Sequence, residues 1–119
     1  MSSPYYRIAL GVCFDTCHAF ASGYDLRTAA AVSQTLDKFG KVIGWKYLKM
    51  IHVNDSKTEF GKRVDRHEHI GQGQIGLAGF QALISEPRVK NINLIAETPD
   101  DAKGDQQGDL AVLKKLRGK

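Results

Sequence analysis

Only 2 cysteines, Cys13 and Cys17, occur in 119 residues. That is too few for a disulfide framework, and their spacing is not the C-x-x-C of a redox motif. No apolar stretch approaches the roughly 18 residues that a membrane span requires. The first residues from Met1 are polar, with neither an apolar core nor a small-residue cleavage site, so a secretory leader is not expected. An intracellular, reducing compartment is the expectation. Internal repeats and low-complexity tracts are absent. Gly71-Gln72-Gly73 lacks both the Lys-Ser/Thr ending of a phosphate-binding loop and the full dinucleotide pattern, which argues against a nucleotide site.

What is present is close to a globular average, with 42% hydrophobic and 25% charged residues, which excludes a fully disordered chain. The length allows one domain at most. Lys and Arg number 17 against 13 Asp and Glu, a formal charge of +4. The basic residues cluster in Lys57, Lys62, Arg63 and Arg66, and again in Lys114, Lys115, Arg117 and Lys119. Such an excess suits a polyanionic partner, because Lys and Arg neutralise phosphates and release counterions. A solvated surface is the plainer reading of the same charges.

Apolar periodicity gives the order strand, helix, strand, loop, helix, strand, helix. Ile8 to Phe14, Tyr47 to Val53 and Asn91 to Glu97 read as short buried strands. Ala29, Val32, Leu36 and Phe39 recur at helical spacing between Thr28 and Phe39, with an end expected near Gly40 or Gly44. Leu77 to Ile84 reads as a helix stopped by Pro87, and Asp109 to Leu116 as a helix aligning Leu110, Leu113 and Leu116. Strands alternating with helices imply right-handed β/α units on a parallel sheet. Three such units leave two unpaired edges. The expectation is therefore an α/β part of a larger architecture, with a small open three-layer sheet as the alternative.

Each predicted strand ends in groups able to bind a metal: Asp15-Thr16-Cys17-His18, His52-Val53-Asn54-Asp55 and Glu97-Thr98-Pro99. Parallel β/α folds place ligands and catalysts at the carboxyl ends of their strands. Neighbouring strands lie about 4.8 Å apart, so Asp15, His52 and Glu97 come within reach of one ion. Imidazole and carboxylate donors suit zinc, and also manganese or iron. In Asp65-Arg66-His67-Glu68-His69, residues 65 and 67 share one side of an extended segment. With His18 they offer a three-ligand set with a position open to water, beside turns allowed by Gly71, Gly73 and Gly76. Asp15 reads equally as a helix cap. His69 reads as loop surface, and Cys17 as a buried thiol.

GVCFDTCHAFASGYDL (Gly11 to Leu26), HVNDSK (His52 to Lys57), GKRVDRHEHIGQGQIG (Gly61 to Gly76) and LIAETP (Leu94 to Pro99) resemble the C-terminal half of the endonuclease IV family of apurinic/apyrimidinic endonucleases. The resemblance runs in order, with matching spacings, from about Arg7 to Pro99. It implies a partial TIM (β/α)8 barrel of the xylose-isomerase-like kind, with residues 1–119 as its C-terminal portion of about three β/α units. It also implies a zinc-dependent DNA repair endonuclease, acting in base excision repair, that cuts the backbone 5′ to an abasic site. By motif, Asp15, His52 and Glu97 match three ligands of one inner zinc and carry the catalysis, while His18, Asp65 and His67 match the ligands of a further zinc. Arg66, between two of these, is assigned to DNA phosphate. The family uses three zinc ions per complete site, and its other half supplies the remaining ligands. The expectation for this stretch is one or two zinc ions, double-stranded DNA with abasic sites as partner, no membrane, and a second chain or oligomer completing the barrel. Two alternatives stand beside it: a sugar isomerase or epimerase of the xylose-isomerase-like group, and a non-catalytic zinc-binding fragment. Asp65-x-His67 and the NDSK run favour the nuclease.

Overall fold

The structure is a computed structural model that describes residues 11–118. The start of the first expected strand, Ile8 to Leu10, lies outside the described residues. Three strands, β1 (Val12–Asp15), β2 (Leu48–His52) and β5 (Asn93–Ile95), form a parallel sheet in the order β1-β2-β5. Asp15 lies opposite His52, and His52 opposite Ile95, so the carboxyl ends of the strands are level. Phe14, Ile51 and Leu94 share a register row and face the helices. Strand alternation therefore turns Cys13, Asp15, Met50, His52, Asn93 and Ile95 to the opposite face. That face is open: Ile95 retains 40% exposure.

The helix between β1 and β2, α2 (Ala29–Val42), begins where Thr28 accepts the Ala31 N–H at 3.1 Å. It buries Val32, Thr35, Leu36 and Phe39. Ala29, expected on that face, is exposed; Thr35 lines it instead, its hydroxyl donating to the Asp25 carbonyl at 2.8 Å. The helix continues through Gly40, which lies against the Trp45 indole, and stops before Gly44, whose φ of 102° reverses the chain. A second helix, α3 (Leu77–Ile84), packs against α2. Its Gly79 sits where a Cβ would meet the Leu26 carbonyl carbon at 3.1 Å and Ile75 at 2.9 Å, so only glycine permits that approach. The last helix, α4 (Gln106–Leu116), starts at an Asp105 cap, three residues earlier than its apolar pattern suggests. It docks through Leu113. Phe20, Leu36, Ile51, Phe80, Leu83 and Val89 form the centre of the core between sheet and helices.

Two elements escape the periodicity. A six-residue helix, α1 (Thr16–Ala21), follows β1 directly, and an antiparallel pair, β3 (Asp55–Ser56) with β4 (His67–Glu68), stands on the end of β2. Both lie at the carboxyl ends of the strands and carry the polar groups described next.

Candidate metal centre

The two oxygens of Asp15 face different ways. Its Oδ1 accepts the His18 N–H at 2.9 Å and starts α1. Its Oδ2 faces the rim, 3.9 Å from His52 Nδ1 and 3.8 Å from His67 Nε2. His52 Nδ1 also meets Glu97 Oε1 at 2.7 Å. Single donor atoms of Asp15, His52 and Glu97 lie within 4.8 Å of one another. The three strand-end residues therefore converge.

The second cluster rests on the β3–β4 pair. His67 Nε2 is 3.5 Å from Asp65 Oδ1, and Asp65 Oδ2 is 3.8 Å from His18 Nδ1. The three donors that meet within 4.8 Å here are Cys17, Asp65 and His67. His18 approaches this group through Asp65 and is 69% exposed. Cys17 is fully buried, as expected of a structural thiol, and donates to the Arg66 carbonyl at 3.4 Å. Burial, then its hydrogen bond with Asp65, pushes this thiol up to about 12. With no cation beside it the thiol form is favoured, whereas a bound cation would favour the thiolate. The Arg66 side chain is exposed, while its backbone carbonyl also accepts the Lys57 N–H at 2.9 Å.

Three residues that motif reading passed over hold these groups in place. Asn54, fully buried, accepts the Glu97 N–H at 2.7 Å and offers its amide to Asp15 Oδ2 at 3.4 Å. Thr16 Oγ1 donates to the Asn54 carbonyl at 2.7 Å and accepts the Asn54 N–H at 2.8 Å, which ties β1 to β2. Asp55, also fully buried, accepts N–H groups from Ser56, Gly71, Gly73, Ile75 and Gly76. Burial pushes its carboxyl up, against the pull of those amides. Polar residues directly following an apolar strand run are the signal that would have found them, since buried polar groups of this kind are hydrogen-bonded.

His69 corrects an expectation. Read as loop surface, it is 1% exposed, its Nδ1 2.7 Å from Asp109 and its Nε2 2.8 Å from Asp101. Hydrogen bonds to Asp109, then Asp101, hold its imidazole above the usual histidine range. Both partners lie 32 and 40 residues away along the chain, beyond the reach of a local pattern.

The donor chemistry fits a divalent cation. Two donors on a tetrahedral zinc at 2.0–2.1 Å are about 3.4 Å apart, near the 3.5–3.9 Å separations around Asp15 and His67. His67 Nδ1 donates to the Glu97 carbonyl at 2.9 Å. That bond fixes the tautomer and aims Nε2 at the carboxylates, the outer-shell arrangement usual for metal-binding histidines.

A short parallel sheet with helices outside and convergent metal donors at the strand ends defines the class. The chain belongs to the xylose isomerase-like TIM barrel family, whose sequence profile matches residues 7–116. The described residues form part of such a barrel. Among its relatives, the chain is 55% identical over 91 residues to the apurinic-apyrimidinic endonuclease of Caenorhabditis elegans, covering 76% of this chain and 23% of that protein. It is 46% identical over 109 residues to the probable endonuclease 4 of Methanoculleus marisnigri, covering 92% of this chain and 39% of that one. The crystal structure of endonuclease IV from Thermus thermophilus superposes with a TM-score of 0.78 at 37% identity, over 90% of this chain and 38% of that one. The chain therefore spans about a quarter to two fifths of the length of these relatives. No helix among the described residues is long and apolar enough to cross a membrane.

Proposed function

We propose that this chain forms part of a zinc-dependent DNA repair endonuclease that hydrolyses the phosphodiester 5′ to apurinic/apyrimidinic sites. The observation that carries the reading is the placement of one Asp15 oxygen between His52 Nδ1 at 3.9 Å and His67 Nε2 at 3.8 Å. Asp15, His52 and Glu97 hold one cation; Asp65 and His67, joined by His18, hold another. When bound, zinc supplies the Lewis acidity that phosphodiester hydrolysis needs, by lowering the pKa of water towards about 7 and offsetting phosphoryl charge. Asp15 aligns the two groups because its carboxylate faces both. Glu97, 51% exposed and hydrogen-bonded to His52, is the donor set's most accessible carboxylate and the one able to exchange a proton with substrate water. No serine or cysteine nucleophile is called for.

The basic segment of Lys57, Lys62, Arg63 and Arg66 lies in the connection between β3 and β4. Exposed cations beside the cluster suit the phosphates of a duplex, with Arg66, between two ligands, as the phosphate contact. An abasic nucleotide leaves the helix with less loss of stacking than an intact one. The chain carries two of the donor groups, and a further chain completes the barrel and the site.

The test pairs zinc content by mass spectrometry with cleavage of an abasic-site duplex, for the chain alone and mixed with a chain comprising the rest of a related endonuclease 4. The reading expects one or two zinc ions per chain, and cleavage that appears or rises sharply in the mixture. Absence of bound zinc, or turnover of an aldose or ketose panel in place of DNA, would overturn it.

A further inference from the structure

Asp109 stands outside both donor groups, in the first turn of α4, and is 3% exposed. Its Oδ1 accepts the Ile70 N–H at 2.8 Å, and its Oδ2 accepts from His69 Nδ1 at 2.7 Å and from the Thr98 hydroxyl. One carboxylate thus grips two segments. His69 and Ile70 follow His67 by two and three residues, and Thr98 follows Glu97 directly. Gln106, one turn earlier on the same helix, adds a bond from its side-chain amide to the Thr98 carbonyl at 3.0 Å. The helix that presents them is itself fixed, with Leu113 buried and Val112 and Leu116 packed on the core. Across the gap, His67 Nδ1 meets the Glu97 carbonyl at 2.9 Å, so any slip of one segment against the other moves a donor of each group.

We infer that Asp109 is a positioning residue that sets the spacing between the two donor groups, with α4 as its rigid mount. The inference rests on the reading that the two groups hold cations. It assigns to the last helix a role in the site that none of its residues performs by contact with a ligand. The carboxylate is engaged by an N–H, an imidazole and a hydroxyl, and its burial, at 3% exposure, keeps substrate away from it. What it controls is where the neighbouring backbone lies. Outer-shell partners of this kind typically change metal affinity by about 10- to 100-fold when removed.

The experiment titrates the full 119-residue chain with zinc against a chromophoric chelator, and follows backbone amide exchange in the same metal-free protein. Asp109→Ala is expected to weaken both zinc equivalents by about tenfold or more and to speed exchange in segments 67–70 and 97–98 together. Thr98→Val, which removes one hydroxyl at nearly constant volume, is expected to weaken the equivalent held by Glu97 more than the other. Asp109→Asn keeps an acceptor for Ile70 and is expected to recover part of the loss. A role confined to general stability would lower the melting temperature and leave both zinc constants within twofold of the parent well below it; that result overturns the inference. Should Asp109→Ala fail to fold, Asp109→Asn and Thr98→Val decide by the same split. A parent chain that takes up no zinc refutes the metal reading, and exchange then decides for Asp109: joint loss of protection in the two segments upholds it, and loss in one alone or in neither refutes it.

Discussion

The two ends of the sheet handle charge in opposite ways. At the amino ends of β2 and β5, two arginines have dedicated partners. Arg88 pairs with Glu86 at 2.8 Å and Asp37 at 2.7 Å and lies 4.9 Å over the Trp45 ring. Arg117 donates to the carbonyls of Val89, Lys90 and Ile92 at 3.0–3.2 Å. At the carboxyl ends, Asp15, Asp65 and Glu97 face histidines and one another, and no Lys or Arg among the described residues pairs with them. One end uses charge to hold the chain together; at the other, carboxylates face imidazoles, the arrangement that the proposed cation sites require.

That contrast is open to attack at several points. The largest expected effect is at the carboxyl end: His67→Ala should remove one zinc equivalent while far-UV circular dichroism stays as in the parent. Loss of helix signal, or full zinc content, would break the distinction between the two ends. Next comes Gly73→Ala, whose Cβ would meet Asp55 Cγ at 2.8 Å and crowd the Ser56 carbonyl. Overpacking of this kind costs about 1–3 kcal/mol, read as a lower urea midpoint; an unchanged midpoint would mean the glycine loop is not braced by Asp55.

At the amino end, Arg117→Ala removes three charge-assisted hydrogen bonds from one guanidinium. A loss of about 1.5–3 kcal/mol is expected, with zinc content unaltered, and any change in metal uptake would blur the division of labour. The smallest effect concerns pH. The Arg88 guanidinium, working against burial, holds Glu86 below its ordinary 4.5. A depressed carboxylate contributes stability above its unfolded value and loses it as pH falls through the folded value. Parent and Glu86→Gln should therefore differ in stability at pH 7, by no more than about 1 kcal/mol, and converge as pH falls through the lowered Glu86 value. A gap that widens on acidification would reverse the sign.

Legibility from sequence followed the range of the interactions. Leu77–Ile84 was readable to the residue because its signals, the apolar run and Pro87, are local. Asp15, His52 and Glu97 were readable as a convergent set because strand ends in a parallel sheet are level, whatever the loops do. The short α1 left too few residues for a period to register, and β3 with β4 are two residues each. Their existence depends on Asp55 collecting amides from 16 to 21 positions onward. His69 misled for the same reason, since it is buried by Asp101 and Asp109 rather than by its neighbours. Placing Cys17 rather than His18 among the three closest donors of the second group turned on how α1 orients two adjacent side chains.

The divided carboxylate of Asp15 has a consequence for reading this family's other members. Asparagine begins a helix about as well as aspartate does, so a chain carrying Asn there would still launch α1 and keep its shape while losing the anion that faces both imidazoles. On the proposed reading, such a chain would keep its architecture and lose its hold on both cations.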